Sequence, residues 1–528
     1  GEDFGRVALT PPGGEGFIAS FVREGWVLVR LRDRGRGREG REVRAGGKST
    51  AHTERAPANP KAKGPRVHLM AQFWRAVTRT WTGRTAVAAV CLHQYDTHFR
   101  YERFNRNIRT VAAAALTLVD YKYTLVQHPE MLDELHERVA KRWYDLCCRN
   151  AGLYIKLGQQ IATMNHVLPA PYLHYFSKLN DAAPAVGFDV VEGIVCKDYG
   201  VASVGEVFSE FEREPIASAS IAQVHKASLK DGTQVAVKVQ KPEIAVQLPW
   251  DLACFRLLLF SFEKIFDLPM YWSCDSVCEV LEQETDFRCE ARNAELAAED
   301  FQDNPKIFVP KVYKGMTTKR VMAMEFVNAR SIADLAGLRA EGFNVAEVAG
   351  IMVDAFSHQI FVSGFVHADP HPGNILVRRR PGGGREAQVV VLDHGCYVSC
   401  SEAFRREYCR LWRAMVLMDE RELQRICRAW GVGDSELFAS MQLLKPYTPG
   451  KGGVHLNATT RADVLKLQLQ AFERVRGLLS DSERVPRELI LLGRNLNIVR
   501  ANNKGMGSPV NRVNNMAKYA SLGLAAGG

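Results

Sequence analysis

Asp369, Asn374 and Asp393 are three side-chain oxygen donors at spacings that suit phosphoryl transfer. The first two belong to His367-Ala368-Asp369-Pro370-His371-Pro372-Gly373-Asn374. The third opens Asp393-His394-Gly395, directly after the apolar run Val389-Val390-Val391-Leu392. Phosphoryl transfer asks a protein for positioning and charge neutralisation: one carboxylate to accept the substrate proton, and a carboxylate with a carboxamide to hold Mg²⁺ against the phosphates. Hard Mg²⁺ prefers such oxygen ligands. ATP and Mg²⁺ are therefore the first ligands to consider. His-x-Asp alone reads equally well as a turn with an Asx cap, but the order and spacing of both motifs favour the chemistry.

In the pattern H-R-D-x-x-x-x-N followed by D-F-G, Asp369 takes the place of the base, and Asn374 and Asp393 take the places of the metal ligands. A second constellation lies upstream, where a nucleotide loop is needed. Ala217-Ser218-Ala219-Ser220-Ile221-Ala222-Gln223-Val224 matches G-x-G-x-x-G-x-V with every glycine replaced by alanine. Asp231-Gly232 then predicts a hairpin turn. Thr233 to Gln240 is an alternating strand carrying Lys238 in the place of the lysine that pairs with the α/β-phosphates. Alanine keeps a Cβ that holds the backbone off the phosphates, so weakened phosphate cradling is expected.

Together with Lys156-Leu157-Gly158-Gln159, these motifs resemble the UbiB family of atypical kinases, also called AarF-domain-containing kinases. The resemblance runs from about Leu125 to the C-terminus. Its K-x-G-Q signature is matched by Lys156, Gly158 and Gln159, and its E-x-D signature by Glu284 and Asp286. The resemblance implies that Glu290 pairs with Lys238, and that Lys156 and Gln159 fold over the nucleotide site to contact Glu284 or Asp286. By charge pattern alone, Glu284, Asp286, Arg288, Glu290 and Arg292 read as a solvated helix face. D-H-G in place of D-F-G resembles in particular the branch of AarF-domain-containing kinase one and its fungal relatives. The family implies an ATPase or a small-molecule or lipid kinase activity in mitochondrial lipid and coenzyme Q homeostasis. Its partners would be ATP/ADP and a membrane lipid or lipid-like substrate at the mitochondrial inner membrane. A nucleotide-binding pseudokinase acting as a switch is the alternative.

Two departures from ordinary protein kinases bear on the acceptor. Ala368 stands at the Arg position of H-R-D, and no Ala-Pro-Glu follows Asp393. Ser401, an N-cap signal, and the periodic Phe404, Tyr408, Leu411, Trp412 and Met415 follow almost at once. No room remains for a long activation segment on which a peptide would dock. The chain is therefore not expected to be a conventional protein kinase.

The elements that must position these residues form an α+β, bilobal protein-kinase-like fold with a helical N-terminal extension. Residues 1–66, rich in Gly and Arg, read as a disordered tail or a gene-model extension. Residues 70–95 are amphipathic, Arg-bearing and free of acids before Tyr95, as in a mitochondrial presequence. Residues 96–127 contain the apolar Val111 to Val119, which Asp120 and Lys122 interrupt; a buried or interfacial helix and a membrane anchor both remain open. Arg100, Arg103, Arg106 and Arg109 would suit a membrane surface beside it. Residues 128–186 make the K-x-G-Q extension, with Leu132, Leu135, Val139, Trp143 and Leu146 in helical period. Residues 187–327 make the small lobe, with the hinge backbone at Glu325 and Val327 expected to bind adenine.

Within the small lobe, Pro242 to about Met270 reads as a helical insertion. Its run Leu257-Leu258-Leu259-Phe260 is too short to span a membrane and is expected to pack. Residues 328–528 make the large lobe, with a hairpin tip at Arg378 to Gly384, a loop at Lys445 to Asn457, and helices at Val464 to Leu479 and Glu488 to Val499 to which no chemistry is assigned.

With 528 residues, 46% of them hydrophobic, the chain can bury a large two-lobed core. A net charge of +10 suits an anionic membrane surface, and no Arg/aromatic or zinc pattern points to nucleic acid. The 12 cysteines lack zinc-site spacing and are expected to be free and mostly buried.

Overall fold

The computed structural model describes residues 91–97, 101–162, 169–179, 184–266, 274–445 and 484–525, together with 85, 89, 271 and 447. The tail expected at 1–66, most of the presequence at 70–95, Arg100, most of the loop at Lys445 to Asn457 and the helix at Val464 to Leu479 lie outside the described residues.

The extension is helical: α1 (Arg103–Val119), α2 (Leu132–Asn150), α3 (Leu153–Ala162) and α4 (Ala170–Phe176). On α2, Leu135, Val139 and Leu146 keep the expected period and are buried. α1 turns its polar side inward. Arg106, Thr110 and Thr117 are buried, as is Asp120 in the short π-helical turn Asp120–Thr124 that follows. Thr110 bonds the Tyr154 hydroxyl at 2.8 Å, and Asp120 pairs with Arg142 at 2.7 Å. Of the arginines expected at a membrane surface, Arg106 is instead buried against Asp251 at 2.6 Å, because an ionised guanidinium inside a protein needs a partner. Arg109 pairs with Glu102 at 2.7 Å.

The small lobe begins with α5 (Phe188–Tyr199) and an antiparallel sheet of β1 (Phe208–Phe211), β2 (Ala217–Ser218), β3 (Ala222–Leu229) and β4 (Gln234–Gln240). Asp231-Gly232 makes the predicted turn: Thr233 N–H donates to the Asp231 carboxylate at 2.9 Å, and Gly232 has φ +85°, which favours glycine. Alternation along β4 sends Val235, Val237 and Val239 into a core with Val191, Val195 and Phe208. Lys238 therefore faces the other side, toward the large lobe.

The insertion follows as α6 (Pro242–Phe266), and α7 (Cys274–Glu284) and α8 (Phe287–Asp300) come after it. Packing was expected of Leu257-Leu258-Leu259-Phe260, yet Leu257 and Phe260 are exposed and only Leu258 and Leu259 are half-buried. Two described helices, Pro242–Ile265 and Val345–Ser363, are long and apolar enough to cross a membrane by length and composition. Val345–Ser363 belongs to the large-lobe core, and α1 is not among them.

β5 (Ile307–Phe308) leaves for the large lobe, and β6 (Val321–Glu325) completes the small-lobe sheet in the order β1-β3-β4-β6, with β2 on β3. In the large lobe, β7 (Arg330–Ser331) precedes α9 (Val345–His358), which Asn344 caps through Ala346 N–H at 3.0 Å. β8 (Phe365–His367), β9 (Ile375–Arg379), β10 (Ala387–Val391) and β11 (Tyr397–Ser399) form a β5-β10-β9-β7 sheet and a β8-β11 ladder. Arg378 and Arg379 lie in β9 rather than in the hairpin tip, with the Arg378 guanidinium 4.0 Å from the Phe308 ring centre. α10 (Glu402–Leu417) starts at the Ser401 cap as expected. α11 (Glu488–Gly505) and α12 (Arg512–Ala525) close the lobe. All 12 cysteines are free.

Candidate active site

Strands, helices and loops together deliver the charged residues. β4 supplies Lys238 and the first turn of α8 supplies Glu290. The Lys238 ammonium donates to both Glu290 oxygens, at 2.7 and 2.9 Å, and lies 3.3 Å from Asp393 Oδ1. The predicted lysine–glutamate pair is therefore formed. Burial pushes Glu290 up to about 7 against the pull of Lys238. Burial disfavours the Lys238 charge too, but Asp393 and Glu290 outweigh it and keep the ammonium protonated.

The β8-β11 ladder places the two large-lobe motifs together. Ala368 N–H donates to Cys396 O at 2.9 Å, and Leu392 N–H to Asn374 O at 2.8 Å. His367 acts as a strut: its Nδ1 accepts from Asp369 N–H at 3.0 Å and its other nitrogen donates to Leu392 O at 3.4 Å. Burial lowers the His367 pKa, as a neutral acceptor requires.

Asn374 donates its amide to Asp369 O at 3.2 Å, which leaves its side-chain oxygen for a cation. Asp393 sits at φ +53°, a left-handed conformation uncommon outside glycine and a mark of a position held for function. Burial would raise its carboxyl, but Lys238 and Lys156 overcome this and hold it well below the usual carboxylate range.

Among the described residues no cluster of three His, Cys, Asp or Glu could hold a metal. Mg²⁺ keeps waters and takes one or two carboxylates plus phosphate oxygens. The side-chain oxygens of Asn374 and Asp393 suit it.

Lys156, on α3, reaches Glu284 at 3.3 Å, so the extension touches the site as expected. Gly158 explains part of the signature: a Cβ there would overlap Leu179 Cδ1 and press on Cys147 Sγ at 3.3 Å. Gln159 bonds Leu179 O at 3.2 Å. Asp286 does not meet Lys156 as was allowed; it caps α8 through Arg288 N–H and pairs with the Arg288 guanidinium at 2.6 Å. A carboxylate at a helix N-terminus satisfies an orphan amide, which decides its place.

The alanine loop turns tightly, Ala219 N–H donating to Ala222 O at 2.8 Å. Ser218 Oγ is buried without a hydrogen bond. Ser220, Ile221 and Ala222 are buried, while Ala217 and Ala219 are exposed. Val224 lies beside Lys238 in register. Lys241, which the sequence reading passed over, fixes the loop by donating to Ala219 O and Pro184 O at 2.7 and 2.9 Å. At the hinge, Glu325 N–H is engaged by Lys311 O and Phe326 N–H by Gln234 O. Val327 is the second residue past β6.

The largest omission lies in α11. Arg494 pairs with Asp369 at 2.7 Å, Asn495 donates to His367 O at 2.6 Å and Asn502 to Pro370 O at 2.8 Å. Arg494 Nε and Nη1 are buried without hydrogen-bond partners. Burial raises the Asp369 carboxyl, but Arg494 and then Lys156 outweigh it and hold the pKa below its ordinary value. The available signal was polar residues, Asn495 and Asn502, two turns apart within a periodic apolar helix.

A strand lysine locked to a helix glutamate above a loop carrying Asp and Asn makes this a kinase-like nucleotide site on a kinase-like fold. A family model described as the ABC1 atypical kinase-like domain matches residues 178–427. An ABC1 family protein of Schizosaccharomyces pombe is 38% identical over 451 residues, 84% of each chain. AarF domain-containing protein kinase 1 of Gallus gallus is 34% identical over 401 residues, 74% of this chain and 77% of that one. The chain belongs to the ABC1 atypical kinase-like family. Among solved structures, a complex of Rv3197 with erythromycin from Mycobacterium tuberculosis overlaps 71% of this chain and 97% of that chain, at 22% identity and a TM-score of 0.41.

Proposed function

We propose that the chain binds Mg-ATP and acts as an ATPase or a phosphotransferase to a small, lipid-like acceptor, serving lipid and coenzyme Q homeostasis at the mitochondrial inner membrane. The observation that carries the catalytic part is the Lys238–Glu290 pair, closed at 2.7 Å with Asp393 beside it. Bound Mg-ATP supplies the transferable phosphoryl group and the cation that neutralises it. Lys238 orients the phosphates, Asn374 and Asp393 present oxygens to the cation, and Asp369 is placed to take a proton from the acceptor hydroxyl.

The eight-residue step from Asp393 to Ser401, three residues of it spent on β11, supports a non-peptide acceptor, since it leaves no platform for a polypeptide. The membrane and organelle rest on the family resemblance and on the acid-poor segment from Met70. The test is ADP release by the full chain with and without Mg²⁺ and phospholipid, beside Asp369→Asn and Asp393→Asn. Release lost in both variants supports catalysis, whereas phosphorylation of an added protein that depends on Asp369 sinks the non-peptide reading.

Two contacts favour a second reading. Arg494 and Lys156 hold charges against the base and its neighbour Glu284, as a nucleotide-binding switch without turnover would. Mg²⁺-dependent binding without ADP release would identify it.

A further inference from the structure

α1 and α6 are built inside out. α1 buries Arg106, Thr110 and Thr117, while Ile108 and Leu116 are 66% and 54% exposed. Val111 and Val119 share that outer face, which ends in Lys122 and Tyr123. On α6, Leu257 is 57% exposed, with Trp250, Phe260 and Ile265 also exposed. Every exposed position from 103 to 124 and from 242 to 265 is apolar, aromatic or basic; none is acidic. Helices that face water carry both signs of charge on the outside.

The two faces adjoin. Gln247 donates to Tyr101 O at 2.8 Å, Phe104 stacks edge-on against Trp250 at 4.8 Å, and Arg106 pairs with Asp251 at 2.6 Å. These contacts advance together along both helices, so α1 and α6 lie side by side and run the same way. α1 with its π-helical turn is about 30 Å long at 1.5 Å per residue, so the pair presents an elongated apolar strip on the surface, of the kind that marks an interaction site.

We infer that this strip is a membrane-docking face on which both helices lie in the plane of an anionic bilayer. The charge argues for the occupant: Lys122, Arg256 and Lys264 punctuate the apolar exposed positions of the two helices, none of which is acidic, the exposed Asp275 lying 3.9 Å from Arg256 on the neighbouring α7, and Trp250 and Tyr123 are the aromatics that favour the headgroup level. α6 is long and apolar enough to cross a bilayer, but its Asp251 is held by Arg106 inside the protein, so it rests on the surface instead. This deepens the membrane part of the function proposed above, and rests on it.

The experiment is sedimentation of the full chain with phosphatidylcholine vesicles, with and without phosphatidylglycerol. The wild type is expected to bind the anionic vesicles, and Leu116→Glu/Leu257→Glu/Phe260→Glu to bind at least about tenfold more weakly with its melting temperature and nucleotide binding unchanged. Lys122→Glu/Arg256→Glu/Lys264→Glu should lose the preference for anionic lipid. Wild type remaining in the supernatant, or the apolar-face variant binding as wild type, overturns the assignment. A lipid-free dimer of the wild type that the same variant disperses overturns it in favour of a second copy. Resistance to alkaline carbonate extraction overturns it in favour of a spanning helix. Loss of ADP release with vesicle binding intact would count against the catalytic reading alone.

Discussion

Arg494 closes on Asp369 at 2.7 Å, and both side chains are largely shielded from water. A residue far along the chain from the Asp/Asn loop thus sets the charge environment of the proposed base.

Breaking a buried ion pair from one side leaves an uncompensated charge, at a cost of about 3–5 kcal/mol. Arg494→Met and Asp369→Asn should each lose stability on that scale in urea unfolding. The double variant should recover most of the loss, and strictly additive losses would show that the two residues are not coupled.

Gly158→Ala tests the close approach of α3 to Leu179. The added methyl has no space, so overpacking of about 1–3 kcal/mol is expected. Leu179→Ala in the same chain should restore much of it. Nucleotide affinity should follow, because α3 carries Lys156.

His394→Phe installs the residue of D-F-G and tests a pH effect. His394 is buried, Nε2 donating to Val391 O at 3.1 Å and Nδ1 accepting from the Tyr397 hydroxyl at 2.9 Å. Burial pushes its pKa down to about 3. Below about 6.5 the unfolded chain takes up a proton that the folded chain refuses until about 3. Stability is therefore full above about 6.5 and falls as pH drops through that window, by about 1.4 kcal/mol per unit for this one group. Melting temperatures of the Phe variant from pH 7 to pH 4 should fall less steeply than those of the wild type, even if the variant starts lower after losing the Val391 bond. Parallel slopes would refute the assignment.

Asn495→Leu should cost about 1–3 kcal/mol, since it strands the His367 carbonyl in a buried site. Turnover should drop as well, because that carbonyl adjoins the loop carrying Asp369; ADP release on a folded variant checks it.

The lysine strand, the Asp/Asn loop and the two-lobed fold were legible because each rests on local order: alternation along β4, a hairpin turn, a cap at Ser401; Glu290 as the partner of Lys238 came from the family resemblance alone. Lys156 meeting Glu284 was legible only through the family resemblance. Of the two acids offered to Lys156, Glu284 takes the contact, because a helix cap competes for the Asp286 carboxylate. Leu257 and Phe260 were expected to pack, because an apolar run does not itself say which side faces out. Arg494, Asn495 and Asn502 stayed hidden because their partners lie more than 120 positions away, and no local period encodes such a pairing.

Asn495 and Asn502, spaced seven residues apart on α11, grip the carbonyls on either side of Asp369. The recognisable kinase-like segment ends at residue 427. A fragment trimmed to that edge would retain every diagnostic motif and lose the brace that keeps the Asp/Asn loop in shape. The stretch by which the protein is recognised and the stretch it needs to work have different boundaries, and inactivity of a trimmed version would measure the cut rather than the chemistry.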